Sequence, residues 1–147
     1  MKKILLIFTL ILAISVSYYL YYLQSDKKIL ENFACEVVDD SVKPEDLITK
    51  QIQHTEKGKK IALYLLNFIK EEYKKDPGKI IVYTRDEAKR NKFDYQIEIK
   101  NTEKLYYIKF NENMTYPFLL NKESKIIVLF ILTKGDGGFL SNTRSDE

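Results

Sequence analysis

One run of seven apolar residues, from Ile126 to Leu132, constrains the fold more than any other stretch of this chain. The run is too short to cross a bilayer, and its β-branched and aromatic content favours a strand over a helix. Because side chains alternate across a strand, both of its faces are apolar. One face carries Ile126, Val128, Phe130 and Leu132, and the other carries Ile127, Leu129 and Ile131. Such a strand lies centrally in a sheet that is covered on both sides.

The N-terminal segment has the composition of a membrane anchor or an export signal. Lys2 and Lys3 precede an uncharged, mostly apolar run over residues 4–23. As an uncleaved anchor, the run is long enough to span the hydrocarbon core, and the tyrosines near its end lie at the interface. As a cleaved signal peptide, it is processed near the small residues Ala13, Ser15 and Ser17.

The anchor is the favoured interpretation, because cleavage after Ser17 leaves a mature chain that begins with an exposed Tyr-Tyr-Leu-Tyr-Tyr-Leu. The sequence then divides into a signal anchor or signal peptide, 1–25, and an exported domain, 26–147. The basic N-terminus predicts a single-pass protein of the cell membrane whose C-terminal domain lies outside the cytoplasm. A secreted or periplasmic product is the alternative after cleavage.

The net charge and the cysteine content limit which binding partners and which disulfides are expected. Two of the 24 basic residues precede the apolar run, so 22 basic residues face all 21 acidic ones in the exported part, a net charge of +1. A nucleic-acid-binding domain normally has a strong basic excess, so no nucleic acid partner is expected. Cys35 is the only cysteine, which excludes an intrachain disulfide and leaves a disulfide-linked homodimer open.

Three helices are predicted before the sheet. A short one covers Lys28 to Val38 after the anchor ends at Gln24 to Lys28, and a second begins at Pro44. The strongest runs from about Lys59 to Lys75, with Gly58 interrupting or ending the helix before it. Its apolar positions recur at spacings of three and four residues: Ile61, Ala62, Leu65, Leu66, Phe68, Ile69 and Tyr73.

The period then changes to two, which predicts strands. The first covers 79–85, and 86–92 is a loop or a single helical turn. The residues 93–99 alternate strictly and predict a half-exposed strand. A third strand covers 105–110, and 115–120 is predicted as an edge strand because Pro117 limits its ladder. The glycine-rich run 135–138 is typical of a hairpin turn.

This order predicts an α+β fold, with helices packed on one face of an antiparallel sheet of four or five strands. Cystatin-like and NTF2-like rolls share this outline, but the likeness is of architecture only. The Gln-x-Val-x-Gly loop of cystatin-type protease inhibitors is absent.

No residue pattern supports a catalytic site, a metal site or a cofactor. His54 is the only histidine and lies in a polar run, so it is interpreted as solvated. Cys35 has apolar neighbours, which favours an inert, packed thiol over a catalytic pair with His54. The neighbouring carboxylates diverge in helices and strands and do not converge on one substrate.

One weak partner-binding site remains. If Val82 and Ile108 face the helix, the opposite face collects apolar and aromatic side chains that one helix cannot cover. The expected site residues on that face are Tyr83, Arg85, Tyr107 and Lys109. In the alternative, the face is ordinary core, covered by Leu47, Ile48, Ile52 and the segment near Phe33.

The leading functional hypothesis is a non-enzymatic, membrane-anchored extracytoplasmic module that binds a protein or peptide through an open sheet face. The alternatives are a small NTF2-like hydrolase or isomerase, and a structural subunit of a membrane complex.

Overall fold

The computed structural model describes residues 2–95, 97, 99, 102–134 and 137–143. Within these ranges, three helices precede an antiparallel sheet and a fourth follows its first strand, which confirms the predicted α+β class. The helices are α1 (Lys2–Val38), α2 (Pro44–Gln51), α3 (Glu56–Lys75) and α4 (Arg85–Arg90). The strands are β1 (Ile81–Thr84), β2 (Glu103–Lys109), β3 (Thr115–Asn121), β4 (Ile126–Lys134) and β5 (Gly137–Asn142).

The first helix joins the apolar N-terminal run directly to the core. The prediction of a separate short helix from Lys28 to Val38 is wrong, because α1 runs from Lys2 to Val38 as one helix. No glycine or proline interrupts the helix there, and buried Leu30 and Phe33 hold its second half against the sheet. Residues 7–22 are exposed along their whole length. The same helix therefore has a bare apolar half and a packed half.

The helix α3 begins earlier than its pattern predicts. The Thr55 side chain caps it by accepting a hydrogen bond from the Gly58 N–H at 3.1 Å, so Gly58 lies in the first turn and does not interrupt the helix. Glycine is needed because a Cβ at this position would lie 1.9 Å from the carbonyl oxygen of Thr143. Phe68, which the spacing predicts on the apolar side of this helix, is 42% exposed.

The five strands pair in sequence order, and each pair is antiparallel. The strand predicted over 105–110 is β2. The expectation that 115–120 forms an edge strand is wrong, because β3 lies between β2 and β4. Pro117 is tolerated there because the β3–β4 ladder involves only 118–120 and leaves the proline outside it. The pairing of Lys134 with Gly137 confirms the hairpin, although Gly135 and Asp136 lie outside the described residues.

The half-exposed strand predicted over 93–99 does not form in the part of it that is described. Residues 93–95, 97 and 99 have no strand pairing, and Gln96 and Glu98 lie outside the described residues. Instead, the preceding run forms α4, and Phe93, Ile97 and Ile99 pack on the sheet. The alternation marks which side chains are buried, but the backbone does not join the ladder.

Separate apolar cores cover the two faces of the sheet. The first core, under α1, α2 and α3, includes Ile126 and Val128, and the second includes Ile127 and Leu129, which confirms that β4 is apolar on both faces in this half. The side chains of Phe130, Ile131 and Leu132 lie outside the described part.

The second core is not covered in the expected way. The residues Phe33, Leu47, Ile48 and Ile52 all lie in the first core. The second core instead consists of Ala88, Ile97, Leu105, Tyr107, Leu119, Ile127 and Leu129, with Tyr83, Phe93 and Ile99 packed against it. The cover comes from Ala88 of α4 and from Phe93, Ile97 and Ile99, which follow β1 in the chain and pack on this face.

Candidate functional site

The structure brings together three of the four predicted site residues on the sheet face that the second core covers, which we call the second face. Tyr83 of β1 lies opposite Tyr107 of β2, and Lys109 lies opposite Ile81, so all three share one side of the β1–β2 pair. Arg85 is the first residue of α4, and its Nε lies 3.3 Å from the Asp94 carboxylate. The alternation correctly predicted the shared face of Tyr83, Tyr107 and Lys109, but Arg85 lies in α4 and not in the predicted strand.

An aromatic cluster fills the middle of this site. The Phe93 ring contacts Tyr83 edge to face, with centroids 5.1 Å apart, and Tyr107 in the same manner at 5.7 Å. Tyr107 is fully buried, while Tyr95 beside it is 50% exposed. The sheet face is therefore closed at Tyr107, and Tyr107 forms the floor of the site without reaching its surface.

Hydrogen bonds fix this floor to the covering segment. The Tyr107 hydroxyl donates to the Asp94 carboxylate and accepts from the Tyr95 N–H at 3.0 Å. Burial, reinforced by Asp94, raises the pKa of Tyr107 above its usual range. Burial opposes ionisation of Asp94, but hydrogen bonds from Tyr107 and Arg85 hold the pKa of this carboxyl below its ordinary value. The neutral tyrosine and the charged aspartate, a pair that we call the latch, join the sheet to the segment that covers it.

The rim of the site remains accessible. Lys109 pairs with Glu112 at 2.7 Å, and the Glu112 side chain is 88% exposed, so this is a solvent-screened surface pair that contributes little free energy. Arg85 keeps 30% of its side chain exposed. We call the four accessible residues Tyr83, Arg85, Tyr95 and Lys109 the second-face rim. Tyr95 was missed as a site residue because its pattern placed it in a strand.

A second polar cluster, the α1 junction, joins α1 to the sheet and comprises Tyr22, Asp26, Lys104 and Tyr106. Asp26 is 5% exposed and accepts hydrogen bonds from the Lys104 ammonium at 2.6 Å and the Tyr106 hydroxyl at 2.9 Å. The same ammonium lies 3.9 Å above the Tyr22 ring. Burial, and after it Asp26, raises the pKa of Tyr106 beyond its usual range. Asp26 lies one helical turn before the buried Leu30, and the sequence analysis did not predict it as a site residue.

A second ion pair lies next to the junction. The Lys27 ammonium lies 2.7 Å from the Glu87 carboxylate of α4. Burial disfavours the charged carboxylate, but the hydrogen bond from Lys27 holds the pKa of Glu87 below its ordinary value. Consecutive residues of α1 therefore contact two different parts of the domain, one on β2 and one on α4.

The remaining candidate residues do not form a site. Cys35 is exposed, so its expected packing is wrong: the buried side of this turn is formed by Phe33, Ala34 and Val37. His54 is half-buried, with Nδ1 3.2 Å from the Thr55 carbonyl oxygen. Within the described residues, no group of three or more Asp, Glu, His or Cys side chains is arranged to hold a metal ion.

The N-terminal half of α1 is long and apolar enough to cross a membrane, a property that a signal sequence shares. Comparison of the chain with protein-family models, curated proteins and solved structures finds no match.

Proposed function

We propose that this chain is a non-enzymatic binding module, held in the cell membrane by α1 and working outside the cytoplasm. The observation that carries the proposal is the division of α1 into two halves. Residues 7–22 are all exposed, whereas Leu30, Phe33 and Val37 are buried in the first core. Exposed apolar surface of this extent is unfavourable in water, and a bilayer covers it.

The α1 junction supports an anchor that is retained. Tyr22 and Asp26 belong to the folded domain through Lys104, and only Leu23, Gln24 and Ser25 separate these two residues. The domain thus begins within one helical turn of the apolar run. A helix held at this point by buried polar contacts fixes the orientation of the domain relative to the membrane surface.

The second-face rim is the proposed partner surface. Aromatic side chains and cations are enriched in protein interfaces, and here Tyr83 and Tyr95 lie beside Arg85 and Lys109. The exposed Glu112 is a weak counter-ion for Lys109, so a carboxylate of the partner can replace it. A protein or peptide with an apolar side chain next to an acidic group fits this surface.

The two alternatives fit less well. An NTF2-like hydrolase or isomerase needs a cavity with free polar groups between helices and sheet. Phe33, Ile69 and Phe118 fill much of that space as fully buried apolar side chains. The buried Asp26 already accepts hydrogen bonds from Lys104 and Tyr106. A structural subunit that binds through its span predicts instead that the second-face rim is dispensable.

Site-specific photo-cross-linking in cells tests the partner surface. A photoreactive residue in place of Lys109 should give a discrete adduct that the variant Tyr83→Ala, Tyr95→Ala weakens about tenfold. The matched control position is Lys50, exposed on α2 over the first core. The same adduct at positions 50 and 109 would refute the second-face rim as the partner surface. So would an adduct at position 109 that the double variant leaves unchanged.

Exchange of residues 4–23 for an unrelated span separates the binding module from the structural subunit. A module that binds through its domain keeps the adduct at position 109 after the exchange. A subunit that contacts its complex through the membrane helix loses it.

A further inference from the structure

The helix α3 carries two exposed aromatic side chains that belong to neither apolar core of the described residues. Tyr64 is 74% exposed and Phe68, one turn later, is 42% exposed. Outside α1, Tyr95 is the one other large apolar side chain that is exposed among the described residues. The inward side of α3 is complete without them, because Ala62, Leu66 and Ile69 are fully buried. The aromatic pair therefore belongs to the outer surface.

Charges flank this pair in an ordered way. Lys57 and Lys60 precede Tyr64, and Glu71 follows Phe68. Spacings of three and four residues place all five side chains on one face of the helix, which we call the α3 stripe. Its first end is positive. At its other end, Glu71 is exposed and its surface pair with Lys74, at 3.1 Å, is weak enough to exchange, while Lys75 is paired with Glu72 at 2.6 Å.

We propose that the α3 stripe is an interface with a second copy of the chain, in which the two α3 helices pack antiparallel. This direction places Tyr64 of each copy against Phe68 of the other and Lys60 against Glu71. A two-fold axis repeats each contact, so both the aromatic contact and the ion pair form twice. Parallel packing would oppose Lys60 to Lys60 and Glu71 to Glu71, which is repulsive.

The expected strength follows from the size of the stripe. A single helix face buries less than the roughly 800 Å² per partner of a stable interface between soluble proteins, so the contact is weak on its own. Copies anchored in one membrane meet at a raised effective concentration, which makes a weak contact productive. The expected affinity between two copies therefore rests on the proposed membrane anchoring. The antiparallel geometry of the contact does not depend on it.

Disulfide trapping in membranes tests the orientation. Two differently tagged full-length chains, both Cys35→Ser, carry Lys60→Cys in one and Glu71→Cys in the other, and are oxidised together. A disulfide needs Cα atoms within about 7 Å, so antiparallel packing gives a mixed product about tenfold more abundant than either chain joined to itself. The matched control is Glu112→Cys, at a side chain that is 88% exposed and off the stripe.

Each outcome decides the proposal. A dominant mixed product supports it, and dominant self-joined products would replace it with parallel packing. Trapping no stronger than with Glu112→Cys would overturn the interface altogether. As a second readout, Tyr64→Ser with Phe68→Ser should lower the mixed product about tenfold, whereas Tyr95→Ser should not. Because both serines replace exposed side chains, an unchanged urea midpoint separates this loss from misfolding, and a yield unaffected by them also refutes the stripe.

Discussion

Replacement of Asp26 tests whether buried polar contacts, in addition to apolar packing, hold α1 on the sheet. The Asp26 carboxylate accepts from Lys104 at 2.6 Å and from Tyr106 at 2.9 Å. The Asp26→Ala change removes Oδ2, the single oxygen that accepts both hydrogen bonds. In this variant water can hydrate the Lys104 ammonium, because the Lys104 side chain is 42% exposed. The Tyr106 hydroxyl is buried and stays without a hydrogen-bond partner.

The size of the effect follows from these two different environments. An unsatisfied buried hydroxyl costs about 1–3 kcal/mol, and a hydrogen bond to a charged group contributes about 1.5–3 kcal/mol before the exposure of Lys104 is allowed for. We therefore expect Asp26→Ala to lower the free energy of unfolding by about 2–4 kcal/mol. Asp26→Asn should cost only about 1–2 kcal/mol, because the amide oxygen still accepts from Tyr106.

The assay is urea unfolding of the full chain in a mild detergent. Unfolding is monitored by the near-ultraviolet circular dichroism of the 11 tyrosines. Glu31→Ala is the matched control, because Glu31 lies on the same helix in an exposed pair with Lys28 at 3.9 Å. The control should change stability by less than about 0.5 kcal/mol. An Asp26→Ala variant as stable as the control would refute the role of the α1 junction.

Three further changes test the second core, the close approach of α3, and the titration of the latch. Tyr107→Phe should cost about 1–2 kcal/mol by leaving Asp94 one donor short, and Tyr107→Ala about 3–5 kcal/mol through a cavity, both in the urea assay. Gly58→Ala should cost about 1–3 kcal/mol, because its Cβ would meet the Thr143 carbonyl oxygen at 1.9 Å; stability equal to the parent chain would contradict this packing. The raised pKa of Tyr107 contributes stability that is full below about pH 10 and is lost as pH rises toward the folded-state value. The lowered pKa of Asp94 contributes stability above about pH 4 that is lost as pH falls through the folded-state value. Both limbs of the pH–stability curve should therefore flatten in Tyr107→Phe, and an unchanged curve would show that the latch does not couple to folding.

Strongly periodic segments were predictable from the sequence. The helix α3 and the strands β2 and β4 follow their patterns, because their buried side chains recur at the period of the element they form. The error over 93–99 has a physical reason: alternation reports which side chains are buried, and Phe93 and Ile97 are packed on a sheet without strand pairing. The prediction that Pro117 marks an edge strand was wrong for a related reason. A proline needs only a position where the ladder requires no N–H donor, and an inner strand can offer one.

The sites were less predictable than the elements. Tyr83, Tyr107 and Lys109 do share a face, but the burial of Tyr107 depends on Phe93 and Ile97 packing over that face, which no local pattern reveals. The α1 junction joins Asp26 to residues almost 80 positions away, and a single acidic residue carries no sequence signal for such a contact.

The central claim, an outward-facing domain on a retained anchor, is tested most directly with a C-terminally tagged full-length chain in spheroplasts. The measurements are membrane fractionation, the mass of the tagged product, and its digestion by added protease. We expect a membrane-bound product of the full 17.4 kDa plus the tag, which the protease destroys. A soluble product shortened near Ser15 or Ser17, or a membrane-bound product that the protease cannot reach in intact spheroplasts, would contradict the account.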